Sequence, residues 1–170
     1  MALQGQKTKS DYLNWDTMKS LVLKLERDGN YKYALLIGVG SYVGLRVSDL
    51  LQLTFTHVLN KDHFIIIEKK TKKERRVDIN PELKELVERL YSKIQPSSDN
   101  ELMFVNKFGK KAISVQHINW TLKQICLKYS IKGQYSSHFM RKTLGRRIWE
   151  VNNCSEKALL LLSELFGHSS

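Results

Sequence analysis

Between Tyr33 and Tyr42 the chain runs for ten residues without a charge, with apolar groups on every face a helix could present. Such a helix needs cover on most sides, so it must lie in the middle of the molecule with other elements packed round it. It is too short to cross a bilayer, and no apolar run in the chain approaches the roughly 18 residues a span requires. With 170 residues available, one core can be built round it without disulfides or metal. A single domain is therefore expected over residues 1 to 170.

The segments on either side supply the cover. Trp15, Met18, Leu21, Val22 and Leu25 repeat at helical spacing before the stop signal Asp28-Gly29-Asn30, which predicts a first helix over 16 to 27. Val47, Leu50, Leu51 and Leu53 predict a short third helix after Gly44. Phe64 to Ile67 and Arg75 to Ile79 are β-prone runs that flank the charged stretch Glu68 to Glu74, the pattern of a β-hairpin with a basic turn. Asn80 and Pro81 then start a helix carrying Leu83, Leu86, Val87 and Leu90. Pro96 to Asn100 reads as loop.

Ser114 caps a further helix with Val115, Ile118, Leu122 and Ile125, and another is expected from about Ser137 to Val151. Ser155 caps the last, whose buried face is expected to hold Leu159, Leu162 and Phe166 before Gly167 ends it. The fold class is mainly α, or α+β: one helical domain with a small antiparallel β-hairpin. No repeat or linker divides it.

Lys and Arg number 28 against 17 Asp and Glu, a formal balance of +11, which makes a polyanion the leading class of partner. Cys126 and Cys154 fall in predicted helices without metal-ligand spacing, so they read as buried free thiols in a reducing compartment. No Cys/His cluster or carboxylate pair suggests a metal, and no cofactor is expected. Met1 to Lys9 lacks the apolar core of a secretion signal, so the expected location is the cytoplasm.

Three segments put a cation or imidazole beside a helix boundary. In Gly44-Leu45-Arg46-Val47-Ser48-Asp49-Leu50-Leu51-Gln52-Leu53, Asp49 follows Arg46 by three residues, the spacing at which a carboxylate can hold a guanidinium on a helix. In Ser137-His138-Phe139-Met140-Arg141, the same spacing puts His138 and Arg141 on one face. In Leu165-Phe166-Gly167-His168-Ser169-Ser170, a helix ends and delivers a histidine to the following turn. Alone, each is as readily a surface ion pair or a helix-end charge.

Together, in this order and with a basic hairpin between the first and second, the segments resemble the catalytic domain of the tyrosine recombinase (phage integrase) family over about residues 12 to 170. The resemblance implies an integrase-like fold and site-specific recombination of double-stranded DNA, through a 3′-phosphotyrosyl intermediate and with self-association on the DNA. It makes Arg46, His138, Arg141 and His168 active-site residues, with Asp49 supporting Arg46. The family also carries a lysine in the hairpin turn. Lys70-Thr71-Lys72-Lys73-Glu74-Arg75 fits its pattern with Lys70 as that lysine, which leaves Lys69, Lys72, Lys73 and Arg75 to bind DNA.

The chemistry suits these residue types. Two guanidiniums can grip the non-bridging oxygens as charge builds on them during attack at a phosphodiester. A lysine with cationic neighbours can give its proton to the departing 5′-oxygen. By resemblance, His138 assists proton transfer at the tyrosine and His168 hydrogen-bonds the phosphate. The chain departs from the family in three respects: the hairpin turn lacks its usual glycine, Lys142 follows Arg141 where many members have histidine, and all seven tyrosines precede His138. The expectation is a catalytic domain cut before its nucleophile and without the separate core-binding domain of typical members. A DNA-binding module without catalysis and a type IB topoisomerase are the rival readings.

Overall fold

The computed structural model describes residues 10 to 167, so His168 lies outside the described residues. Eight helices and one hairpin follow in order: α1 (Trp15–Arg27), α2 (Tyr31–Val43), α3 (Val47–Leu50), α4 (Phe55–Val58), β1 (His63–Ile67), β2 (Glu74–Asp78), α5 (Pro81–Ile94), α6 (Val115–Lys128), α7 (Phe139–Val151) and α8 (Glu156–Phe166). As the apolar run requires, α2 is the central element: Ala34, Leu35, Leu36, Ile37 and Val39 are completely buried. Its cover comes from α1, α5 and α7, which all pack on it. Close approach of α7 depends on Gly40, where an added Cβ would lie 2.3 Å from the Met140 sulfur.

Helices α5, α6 and α8 start at the caps legible in the sequence, Asn80, Ser114 and Ser155. The Asn80 side chain accepts from Leu83 N at 2.8 Å, and the Ser114 hydroxyl accepts from His117 N at 3.1 Å. Between α1 and α5 the buried Glu26 carboxylate accepts from Arg89 Nε at 2.9 Å and Lys93 Nζ at 3.0 Å. The two cations neutralise a carboxylate that burial alone would penalise, so the pair fastens two helices that both pack on α2.

The hairpin is antiparallel, running in register from His63 opposite Asp78 to Ile67 opposite Glu74. Phe64, Ile66 and Val77 face the core, while Ile65 and Ile67 are exposed. At its end Glu68 N donates to Lys73 O and Lys72 N donates to Glu68 O, both at 2.9 Å. Lys72 takes the left-handed conformation, φ 61°, that a glycine would adopt with less strain.

Several expectations change. Helix α4, opened by Thr54, was not foreseen, and neither were the isolated bridges Thr54 to Leu102 and Val105 to Ala112. Helix α4 is a single turn that buries only Phe55 and Val58, too little periodicity to be read from sequence. Cys154 is exposed and lies in the turn after α7, not in a helix, and Cys126 is only half-buried. Leu159 is exposed as well, and the buried residue of α8 is Ala158. Leu159 to Leu162 are consecutive, and a helix can turn only part of such a run inward.

The contrast between the two leucine environments is testable by urea unfolding. Leu36→Ala should lower stability by about 2–5 kcal/mol, the usual cost of a core cavity. Leu159→Ala should change it by less than about 0.5 kcal/mol. Equal losses would show that α8 is packed as tightly as α2.

Candidate active site

Helix α2 ends at Gly44, whose left-handed φ of 63° reverses the chain. An added Cβ there would lie 2.6 Å from Leu144 Cδ2, so α7 can pass close beside the turn. Arg46 follows as the N-cap of α3, with ψ 145°. It is therefore not within a helix, and the i, i+3 spacing to Asp49 does not create the expected pair. Instead, Arg46 Nη1 donates to Glu68 Oε2 at 3.1 Å.

Asp49 is buried and serves the hairpin. Its Oδ1 accepts from Lys69 N at 2.8 Å and from Gln52 Nε2 at 3.1 Å, while Oδ2 has no hydrogen-bond partner among the described residues. Asp49 thus acts on the turn that carries the lysines, in place of the Arg46 support expected of it.

Glu68 is the residue missed. Its Oε2 accepts from Arg46 and, at 2.9 Å, from Thr71 Oγ1, and its Oε1 lies 3.5 Å from Arg75 Nη1. Strand alternation could have revealed it. Phe64 and Ile66 point inward, so Glu68 shares their face; Arg75 shares the inward face of Val77 and Ile79. The Arg75 side chain is only 11% exposed and its Nη2 is buried with no hydrogen-bond partner among the described residues, so it belongs to this cluster and not to the exposed lysine turn.

Arg141 comes in from α7. Its Nη1 donates to Gly44 O at 3.2 Å, its Nη2 donates to Phe166 O at 3.0 Å, and its guanidinium lies over the Phe166 ring. Burial, reinforced by the Arg46 and Arg75 charges, pushes its pKa down to about 10 against the pull of Glu68 and Asp49. Burial pushes Arg75 down too, opposed by Glu68. Glu68 goes the other way: burial would raise its carboxyl, but the Thr71 hydrogen bond and the Arg75 and Arg46 charges hold it below the ordinary 4.5.

Five groups from the end of α2, the start of α3, the hairpin and α7 therefore meet: Arg46, Asp49, Glu68, Arg75 and Arg141. Lys69, Lys70, Lys72 and Lys73 stand exposed on the adjoining turn. His138 is the exposed N-cap of α7, and among the described residues no hydrogen bond or ion pair ties its ring to the cluster.

The model of the Phage integrase family matches residues 11–170. The chain belongs to the phage integrase family. Similar members include the probable integrase/recombinase YoeC of Bacillus subtilis, 29% identical over 81% of this chain and 71% of its own. The tyrosine recombinase XerD of Staphylococcus aureus is 27% identical over 94% of this chain and 54% of its own. Among solved structures, XerA recombinase matches 99% of this chain and 59% of its own, with a TM-score of 0.71 and 20% identity. XerH recombinase bound to its difH substrate matches 96% of this chain and 49% of its own, at 0.69 and 19%. These similarities show a mostly helical fold with a small sheet shared with integrase-family domains. The chain spans about half the length of XerD, XerA and XerH.

The depressed pKa of Glu68 has a definite sign in this integrase fold. Its contribution to stability is complete above the ordinary value of 4.5 and is lost as pH falls through the lower folded value. Glu68→Gln should therefore reduce stability near pH 7 and make it less sensitive to pH between about 5 and 3 than the wild type. Denaturant unfolding across that range measures both. Parallel wild-type and variant profiles would show that the carboxylate is not held by the arginines.

Proposed function

We propose that this chain forms the phosphate-binding half of a site-specific recombinase active site, acting on duplex DNA by metal-free cleavage and rejoining through a 3′-phosphotyrosyl intermediate. The observation that carries this reading is the convergence of Arg46 and Arg141, 95 residues apart in sequence, on one half-buried cationic cluster. Two guanidiniums in one place suit a phosphodiester, whose non-bridging oxygens gain charge as it is attacked.

Lys70 is the general acid of this reading, delivering its proton to the 5′-oxygen. Lys69, Lys72 and Lys73, all exposed, meet DNA phosphates beside it. His138 assists proton transfer at the attacking tyrosine, and His168 hydrogen-bonds the phosphate. Integration or excision of a mobile element, with self-association on the DNA, is the biological reaction that suits this chemistry. Solved relatives include the Tn1549 transposon integrase in complex with circular intermediate DNA.

None of the seven tyrosines fits the role of nucleophile. Tyr42 donates to Glu82 at 2.6 Å, Tyr135 donates to Lys132 O at 2.9 Å and Tyr91 to Asp99, while Tyr129 donates to Asp28. Tyr33 is buried in the core, and Tyr12 and Tyr31 lie under Arg146 and Lys93. Burial raises the pKa of Tyr33, Tyr42, Tyr129 and Tyr135, the wrong direction for attack. The attacking tyrosine then comes from sequence after Ser170 or from a neighbouring subunit.

Residues 1 to 170 should bind duplex DNA with a steep salt dependence, log K falling by about 0.9 per phosphate neutralised for each tenfold rise in salt. With a nicked suicide duplex of the cognate site they should trap no covalent adduct, whereas a chain continued through a downstream tyrosine should. Arg46→Ala in the longer chain should slow adduct formation by about 10²–10³-fold. Salt-dependent binding with no adduct from the longer chain would favour a binding module without catalysis. An adduct mapped to any of the seven tyrosines would place the nucleophile within the present sequence.

A further inference from the structure

Among the described residues no hydrogen bond or ion pair holds the Lys70 side chain, yet the residues on both sides of it are held. Lys69 N donates to the buried Asp49 carboxylate at 2.8 Å, and Thr71 Oγ1 donates to Glu68 at 2.9 Å. The same Glu68 oxygen that takes the Thr71 hydroxyl also takes Arg46 Nη1, at 3.1 Å. One atom thus joins the lysine turn to an arginine that approaches from the end of α2.

We propose that Glu68 is a positioning residue, whose carboxylate fixes the Lys70-bearing turn against Arg46 so that the general acid and the phosphate-gripping cation are assembled as one unit. This rests on the reading of Lys70 and Arg46 given above. Three features of the site carry it. The Glu68 side chain is only 12% exposed, so its bonds are little weakened by water. Its backbone closes the turn through Lys72 N and Lys73 O, which fixes the carboxylate's root relative to Lys70. Arg75, 3.5 Å from the other oxygen and itself only 11% exposed, holds the carboxylate from the strand side.

A solely structural ion pair would not need the Thr71 arm. Thr71 is exposed, and its hydroxyl reaches back from the turn to the carboxylate, bracing the peptide next to Lys70. Positioning of this kind is steep in its effect: a displacement of about 1 Å at a reacting group can cost roughly a hundredfold in rate.

The test compares two scissile groups in the chain continued through its nucleophile: an ordinary phosphodiester and one whose 5′-bridging oxygen is sulfur. Sulfur departs without a proton, so the ratio of the two cleavage rates reports the general acid alone. Lys70→Ala should raise the ratio about a hundredfold, and Glu68→Ala and Thr71→Val should raise it by roughly tenfold or more. Arg46→Ala should slow both substrates strongly and raise the ratio less than Glu68→Ala does, since Arg75 still holds the carboxylate. Glu68→Gln, which keeps an acceptor for Thr71, should recover part of the Glu68→Ala loss.

If Glu68→Ala and Thr71→Val slow both substrates equally, Glu68 does not position the acid and the proposal falls while the recombinase reading stands. Thr71→Val alters an exposed side chain, so it keeps the test decisive even if Glu68→Ala proves unstable. No cleavage of either substrate by the unsubstituted longer chain would overturn the recombinase reading itself. A ratio raised by Lys69→Ala, Lys72→Ala or Lys73→Ala and not by Lys70→Ala would overturn this proposal, since the turn would then present a different acid.

Discussion

Three guanidiniums cannot share one half-buried space without anions between them, and Glu68 is the anion that makes the arrangement of Arg46, Arg75 and Arg141 tenable. Like charges repel more strongly as water is excluded, because the local dielectric falls. The lowered pKa of Arg141 records that repulsion together with burial. Glu68 bridges Arg46 and Arg75 directly, and Asp49 adds a second negative charge from beneath. The order of the site is thus electrostatic first: the carboxylates decide where the cations can stand.

The scaffold's part is to bring those charges to one place from distant segments. Because α2 is covered on nearly every face, its two ends are fixed relative to α1, α5 and α7. Gly44 converts that rigidity into a site. Its left-handed turn sends Arg46 toward the hairpin, its missing side chain lets Leu144 approach, and its carbonyl accepts from Arg141. One residue therefore sets the direction of one arginine and receives the other. Met140 on α7 packs against Gly40 one turn earlier, so the helix that carries Arg141 is located by the core and not by the charges it delivers.

The sequence disclosed the elements more fully than the contacts between them. The uniform apolarity of Tyr33 to Tyr42 and the caps at Asn80 and Ser114 are local signals, and each led to an element with close to the expected limits. Arg46 and Arg141 were legible through their motifs. Their partners were not: Glu68 lies 22 residues from Arg46, and Gly44 lies 97 from Arg141. The Asp49 carboxylate bonds the hairpin and not Arg46, because Arg46 is an extended N-cap whose side chain points away from the helix surface. The inward alternation of Phe64, Ile66 and Glu68 is a signal, but a glutamate followed by six lysines and arginines in eight residues reads most easily as a solvated charge.

The two arginines are held in chemically different ways, and this bears on what an incoming anion would meet. Arg141 is oriented by backbone carbonyls, neutral acceptors that fix the plane of the guanidinium without cancelling its charge. Arg46 is oriented by a carboxylate, which takes one of its five N–H donors and offsets part of its charge. With Arg75, the cluster sets three cations against the two carboxylates Glu68 and Asp49, and the exposed lysines of the turn add to the excess. A net positive site that already contains its own structural anions can receive a phosphate without first collapsing or repelling its members apart. The internal carboxylates thus reconcile two otherwise opposed demands: a stable fold in the absence of a polyanion, and a surplus of positive charge when one arrives.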